Sequence, residues 1–318
     1  MSSDRPRILV VGSLNMDMIA QTSVFPKDGQ TVKGRSFRKA PGGKKGLNQA
    51  VQAARLGADV VMAGKVGCDA EGDELIGVCR QEGIDVSHIL RDTGTATGCA
   101  MILVEERPDG EVSNRIIVIP GANGNMTPDD IAFLESEAAS FDMVLLQFEI
   151  PMEVNERAAF LACEAGVPVM VNPAPSAPVP RPLLDHCTYL SPNETEASDL
   201  AGVPVESPDG ADKAARILLQ SGVRNVLITL GETGAVLYSP EGGKIFCPAV
   251  RKLPAADPTS AGDSFVSSFC TALADGADHE QALFFAAHAA ALTVSEAGAV
   301  PSLPDREQVL CFIDESRR

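Results

Sequence analysis

The chain has 318 residues, 45% of them hydrophobic, and carries a formal net charge of −17 with a pI near 4.6. No run of basic residues is longer than two, so nucleic acid and anionic membrane surfaces, which need a positive face, are excluded as expected partners. With 28 Gly, 22 Pro and no obvious internal repeat, the length suits one large α/β domain.

Eight cysteines lie scattered without a C-x-x-C pair, and the four histidines do not fall at zinc-ligand spacing. They read as reduced, buried residues of a cytoplasmic protein. The first apolar run is about four residues long before Gly12, too short for a signal peptide. No later segment approaches the roughly 18 apolar residues of a membrane span.

Ile8-Leu9-Val10-Val11 is a continuous apolar strand ending at Gly12-Ser13, as expected of a buried parallel strand whose C-terminal end opens a site. Asn15 and Asp17 follow. Alternate residues of an extended segment face one way, so both suit adjacent sugar hydroxyls; they equally suit a stabilised strand-end turn. Residues 18–39 read as short strand pieces (18–20, 31–33 and Phe37), a candidate lid. Pro41-Gly42-Gly43-Lys44-Lys45-Gly46-Leu47-Asn48 then leads into a helix, so that a glycine turn delivers Lys and Asn at a helix N-terminus.

Strand and helix signals alternate from there: a strand at 60–63, a helix at 70–82, and two strands at 100–104 and 115–119 joined through Pro108-Asp109-Gly110 as a hairpin, which Gly121-Ala122-Asn123 closes. Residues 128–138 read as a helix. Met143-Val144-Leu145-Leu146-Gln147 is a buried strand with Glu149 beyond its end, and 167–171 is another, finishing in Asn172-Pro173-Ala174-Pro175. Asn193-Glu194-Thr195-Glu196 precedes a helical run; an N-cap with acids in the first turn explains it as well as a ligand does. Val226-Leu227-Ile228-Thr229-Leu230-Gly231 is a further strand and turn, followed by Gly234, where the backbone is open to a planar or phosphorylated group. The βα alternation argues for a mostly parallel sheet with helices on both faces.

Ala256-Asp257-Pro258-Thr259-Ser260-Ala261-Gly262-Asp263 runs through small residues into a helix at 264–274, with further helices at 279–296 and 305–315. The first N–H groups of such a helix lack intrahelical partners and suit a phosphate gaining negative charge. Asp263 in the same turn is either an ordinary first-turn acid or a base for a hydroxyl beside that anion-receiving end.

Together these stretches resemble the ribokinase branch of the PfkB carbohydrate kinase family over nearly the whole chain. The resemblance rests on residues 12–17, the Gly42 to Asn48 loop, Gly121-Ala122-Asn123, Asn172-Pro173-Ala174-Pro175, residues 192–196, Thr229-Leu230-Gly231 and residues 257–263. It implies a single ribokinase-like catalytic domain over 1–318, with a central, mostly parallel sheet, helices on both faces and a small β-strand lid from about 18–39 and 100–119.

The resemblance further implies transfer of the ATP γ-phosphate to a sugar hydroxyl, foremost the 5-hydroxyl of D-ribose. Asp263 matches the base, and the amides of Ser260, Ala261 and Gly262 the anion hole. Asn15, Asp17, Gly43, Lys44, Asn48 and Glu149 match sugar contacts; Asn193, Thr229, Gly231, Gly234 and Gly262 match the nucleotide side. Glu196 matches a residue linked to Mg²⁺ through water. Asp257, the carbonyl of Thr259 and the loop around Gly298 and Ser302 match a monovalent-cation site for K⁺. The lid of such proteins often makes a dimer clasp.

Three features depart from the family pattern. The glycine loop is one residue longer than the usual Gly-Gly-Lys-Gly-x-Asn, leaving open which of Lys44 and Lys45 faces the sugar. Ser260 stands where Gly or Ala is usual, and Pro258 where Thr is. The rivals are a deoxyribose, fructose or nucleoside kinase of the same family and a sugar sensor without catalysis. Scant aromatic surface on the sugar side argues against a nucleoside.

Overall fold

The computed structural model describes residues 5–42, 45–107, 112–240 and 243–317. The chain begins with β1 (Arg7–Val11), β2 (Asn15–Thr22), β3 (Ser36–Pro41), α1 (Gly46–Arg55), β4 (Asp59–Gly67), α2 (Ala70–Gln81), β5 (Asp85–Asp92), β6 (Gly98–Glu106) and β7 (Val112–Ile119). Next come α3 (Leu134–Glu137), β8 (Met143–Gln147), α4 (Met152–Glu164), β9 (Val169–Asn172), α5 (Arg181–Asp185), β10 (Tyr189–Leu190), α6 (Glu194–Ala201), α7 (Pro208–Gln220) and β11 (Asn225–Thr229). β12 (Gly234–Tyr238), β13 (Lys244–Pro248), α8 (Ala261–Ala274), α9 (His279–Ser295) and α10 (Arg306–Ser316) complete it.

Nine strands form the main sheet in the order β13-β12-β11-β10-β9-β8-β1-β4-β5. All its pairings are parallel except β11 with β12 and β12 with β13. β1 shows why its sequence is continuously apolar. Ile8 and Val10 enter the core formed with Leu47 and Val51 of α1, Phe269 of α8 and Leu283 of α9, whereas Leu9 and Val11 enter the opposite core with Val154 and Ala158 of α4 and Leu218 of α7. A strand covered on both faces has no solvent side on which to place a polar residue. Each such fully buried aliphatic side chain contributes roughly 1.5–3 kcal/mol.

The second sheet has the order β3-β2-β6-β7. β2 pairs antiparallel with β3 and parallel with β6, and β6 pairs antiparallel with β7. The chain therefore leaves the main sheet twice, after β1 and again before β6. The C-terminal ends of the parallel strands lie on one edge of the main sheet. That edge carries Ser13 after β1, Glu149 after β8, Asn172 at the end of β9 and Thr229 at the end of β11.

Several sequence expectations are corrected. Residues 31–33 form no strand; Thr31 and Lys33 are exposed, Val32 is half-buried and no neighbouring strand pairs with them, so the β-branched Thr31 and Val32 have no sheet to pack in. The helix expected over 128–138 is broken into a 3-10 turn at Pro128–Ile131, α3 and a second 3-10 turn at Ala138–Ser140. Ile131 and Leu134 are still buried, because an i to i+3 repeat also serves 3-10 geometry. Gly121-Ala122-Asn123 does tie off the open end of the β6–β7 hairpin, the Ala122 N–H donating to the Ala96 carbonyl at 2.8 Å, but does so as the start of a 3-10 turn, Gly121–Asn125. The Pro108-Asp109-Gly110 turn lies outside the described residues.

Candidate active site

α8 begins at Ala261, with Ser260 as its N-cap in a left-handed conformation (φ 64°). Among the described residues the N–H groups of Ser260 and Gly262 have no acceptor, while that of Ala261 makes a long 3.3 Å contact to the Pro258 carbonyl. A Cβ placed on Gly262 would meet no atom within 4 Å, so the space beside this first-turn residue is open. Asp263, in the first turn, is only 4% exposed. Its Oδ2 accepts the Lys45 N–H and an Asn48 Nδ2–H, each at 3.1 Å. Its Oδ1 is buried with no hydrogen bond among the described residues. A buried carboxylate oxygen left in that condition is an acceptor suited to a hydroxyl proton.

Lys45 is the N-cap of α1 and also has positive φ (61°, with ψ −107°). Its ammonium lies 3.6 Å from Asp263 Oδ1 and 3.4 Å from Asn172 Oδ1. Asn172 is held by Gln49 Nε2 at 3.2 Å and in turn donates to the Ser191 carbonyl at 2.9 Å. The lysine that meets the acid is thus Lys45; Gly43 and Lys44 lie outside the described residues. The hydroxyl of Ser260 accepts the Asn48 Nδ2–H at 2.9 Å, which gives that unusual residue a definite partner. Asn48 Oδ1 is buried with no hydrogen bond among the described residues, beside Gly42, where a Cβ would lie 2.8 Å from it.

Beyond the ends of β1 and β8, Glu149 Oε2 accepts from Ser13 Oγ at 2.6 Å and from Asn15 Nδ2 at 2.9 Å. Asn15 and Asp17 are both buried on β2, as the two-residue period of the strand requires. Gly42 N–H donates to the Asn15 carbonyl at 3.3 Å and so joins this cluster to Asn48. Ser13 was missed as a site residue in the sequence; its position at the end of β1 was the available signal.

Asn193 and Glu196 form a capping box at α6. Asn193 Oδ1 accepts the Glu196 N–H at 2.8 Å and Glu196 Oε2 accepts the Asn193 N–H at 2.9 Å. Burial raises the Glu196 carboxyl above its ordinary range, partly opposed by the Asn193 N–H and the Lys45 charge. Asn193 also bridges Thr229 in parallel pairing, which brings these two positions to one edge. Gly231 is in left-handed conformation close to Glu194, whereas Gly234 has a reason of its own: a Cβ there would lie 2.1 Å from the Cys247 carbonyl in the facing strand.

Asp257 Oδ1 accepts the Thr259 N–H at 2.9 Å and Oδ2 the Gly298 N–H at 3.1 Å. Burial alone would raise this carboxyl, but the Thr259 hydroxyl and these N–H donors together hold it below the usual range. The Ser302 hydroxyl, in the same loop as Gly298, donates to the Ala299 carbonyl at 2.8 Å. Among the described residues no group of three or more His, Cys, Asp or Glu stands ready to hold a metal ion.

A helix N-terminus with unpaired N–H groups, a buried acid in its first turn and a cluster of polar side chains at the ends of parallel strands together define a site built for moving an anionic group onto a hydroxyl. The family model described as "pfkB family carbohydrate kinase" matches residues 5–306, and the chain belongs to that family. It is 39% identical to a ribokinase of Schizosaccharomyces pombe, over 95% of this chain and 96% of the relative. It is also 39% identical to a ribokinase of Bacillus subtilis, over 95% and 97%. The solved structure of Arabidopsis thaliana ribokinase complexed with ribose and ATP superposes with a TM-score of 0.89 at 34% identity, covering 97% of this chain and 99% of that one.

Proposed function

We propose that this protein is an ATP-dependent ribose kinase that transfers the γ-phosphoryl group to the 5-hydroxyl of D-ribose. The observation that carries the reading is Asp263 Oδ1, a buried carboxylate oxygen with no hydrogen bond among the described residues, in the first turn of a helix where the Ser260 and Gly262 N–H groups have no acceptor among those residues. Likeness to ribokinases over nearly the whole chain supports the choice of sugar.

In this reading Asn15, Asp17, Asn48 and Glu149 hold the sugar hydroxyls, together with Gly43 and Lys44. Asp263 accepts the proton of the attacking hydroxyl, a contribution of about 10²–10⁴ in rate for a positioned base. The N–H groups of Ser260, Ala261 and Gly262 receive the charge gathering on the transferred group; one such donor is worth about 10²–10³. Asn193, Thr229, Gly231 and Gly234 line the nucleotide side.

Mg²⁺ would be held mainly by the ATP phosphates, with the buried Glu196 carboxylate at the start of α6 acting through water. When bound, it neutralises phosphate charge. Asp257, which already ties the loop before α8 to Gly298, fits a monovalent cation together with the Thr259 carbonyl and the Ser302 loop, and K⁺ there would stiffen the anion hole.

The small sheet of β2, β3, β6 and β7 acts as a lid over the sugar. It also supplies a homodimer contact, because β7 is an edge strand on which Ile116, Ile117, Val118 and Ile119 are all exposed. The protein works in the cytoplasm, a reading that its free cysteines support.

The test is an ATP-consumption assay over ribose, 2-deoxyribose, fructose and nucleosides, with K⁺ or with Na⁺, and location of the phosphate in the product. Ribose should give the highest kcat/KM, with the product phosphorylated at the 5-position. A higher kcat/KM for any other acceptor contradicts the assignment.

A further inference from the structure

Asn123 has none of the roles above, although it belongs to one of the stretches that carry the family resemblance. Its side chain is fully buried. Its Oδ1 accepts the Leu14 N–H at 2.9 Å, while its Nδ2 donates to the Leu14 carbonyl at 3.1 Å and to Asn15 Oδ1 at 2.9 Å. An amide carries donors at one end only, so the Leu14 N–H decides which end of Asn123 faces Asn15. That in turn decides Asn15: its Oδ1 is taken by Asn123, and its Nδ2 turns to Glu149 Oε2. Glu149 receives Ser13 Oγ on the same oxygen. One buried amide thereby sets a chain of donor directions that ends in the sugar pocket.

The same point is where the chain passes between the two sheets. Leu14 and Asn15 lead into β2, Gly98 opens β6, and residues 120–123 leave β7. A Cβ on Gly98 would lie 2.2 Å from Asn123 Nδ2 and 2.4 Å from Asn15 Oδ1, so the three passages converge with no room for another atom. Ala122 N–H, donating to the Ala96 carbonyl at 2.8 Å, closes the exit onto the entry to β6.

We propose that Asn123 is a positioning residue that fixes the hydrogen-bond polarity of Asn15 and Glu149 toward the sugar and ties it to the hinge of the small sheet. The inference rests on the reading of Asn15 and Glu149 as sugar contacts.

Asn123→Asp has nearly the same shape but turns an acceptor toward Asn15 Oδ1, so Asn15 must reverse and set its carbonyl against Glu149. The expected result is a KM for ribose raised about tenfold or more, with the KM for ATP within about twofold. Asn123→Ser, which keeps a hydroxyl donor, should fall between wild type and Asn123→Asp, and it carries the test if the Asp variant does not fold. A lower melting temperature with an unchanged ribose KM in these variants means a purely structural role and overturns the proposal. Glu149→Gln separates the two layers. If it leaves ribose KM unchanged, the sugar-pocket reading fails and takes this inference with it; if it raises KM while neither Asn123 variant does, only this inference fails.

Discussion

Lys45 and Asp263 meet twice: the Lys45 N–H donates to Oδ2 at 3.1 Å, and its ammonium lies 3.6 Å from Oδ1. Among the described residues Lys45 and Ser260 are the two non-glycine positions with positive φ. Both touch the group around Asp263, one directly and the other through Asn48. Backbone strain is therefore concentrated at the two loops that deliver the acid's partners, which is where function can repay it.

That strain gives the first prediction. Lys45→Gly and Lys45→Ala both remove the ammonium and both keep the N–H, so they differ chiefly in tolerance of the left-handed backbone. The glycine variant should be more stable by about 1 kcal/mol in urea unfolding, since a Cβ is costly at positive φ. Equal stabilities would show that the backbone at Lys45 is relaxed in solution.

A second prediction concerns acid. Asp69 caps α2 through the Gly72 N–H and binds Thr97 through both its hydroxyl and its N–H, just before β6. Burial by itself would raise its carboxyl, but the Thr97 and Gly72 donors and nearby Arg91 outweigh burial and hold it below its ordinary 3.8. A carboxyl lowered on folding stabilises the protein above its unfolded value, and that stability drains away as pH falls through the folded value. Asp69→Asn should therefore melt below wild type at about pH 7, with the gap narrowing as pH falls below the carboxyl's ordinary 3.8. A gap that stays constant with pH would rule out this linkage.

The exposed edge of the small sheet makes a third. Ile117, 60% exposed on β7, should lie in the dimer contact. Ile117→Glu should shift sedimentation from dimer to monomer without changing the circular dichroism spectrum. A wild-type protein that sediments as a monomer at tens of micromolar would remove the basis for the contact.

Much of the fold was legible because its strands are buried on both faces: β1 and β8 read directly as apolar runs with site residues just beyond their ends. The start of α8 was legible for a related reason, since a small-residue loop before apolar periodicity marks a helix end that nothing covers. β5 was missed because Asp85-Val86-Ser87-His88-Ile89-Leu90-Arg91-Asp92 is an edge strand with mixed burial and no clean alternation. The side-chain contacts of the site were not legible, because they join distant stretches. Lys45 and Asp263 are 218 positions apart, and Asn123 reaches back 108 positions to Asn15. Sequence suggested that Asn15, Asp263 and one of the two loop lysines belong to one site, and gave Asn123 no role in it; only packing shows which atom of each meets which.

The most direct test is the turnover of Asp263→Asn with saturating ribose and MgATP. The side chain keeps its shape and, through its amide oxygen, the hydrogen bonds from the Lys45 N–H and Asn48, but loses the charge that pairs with the Lys45 ammonium and accepts the hydroxyl proton. The expected result is a kcat lowered by about 10²–10⁴, with ribose and ATP still bound and the melting temperature close to wild type. A variant that turns over within about threefold of wild type would contradict Asp263 as the base, and with it the chemistry assigned to this helix end.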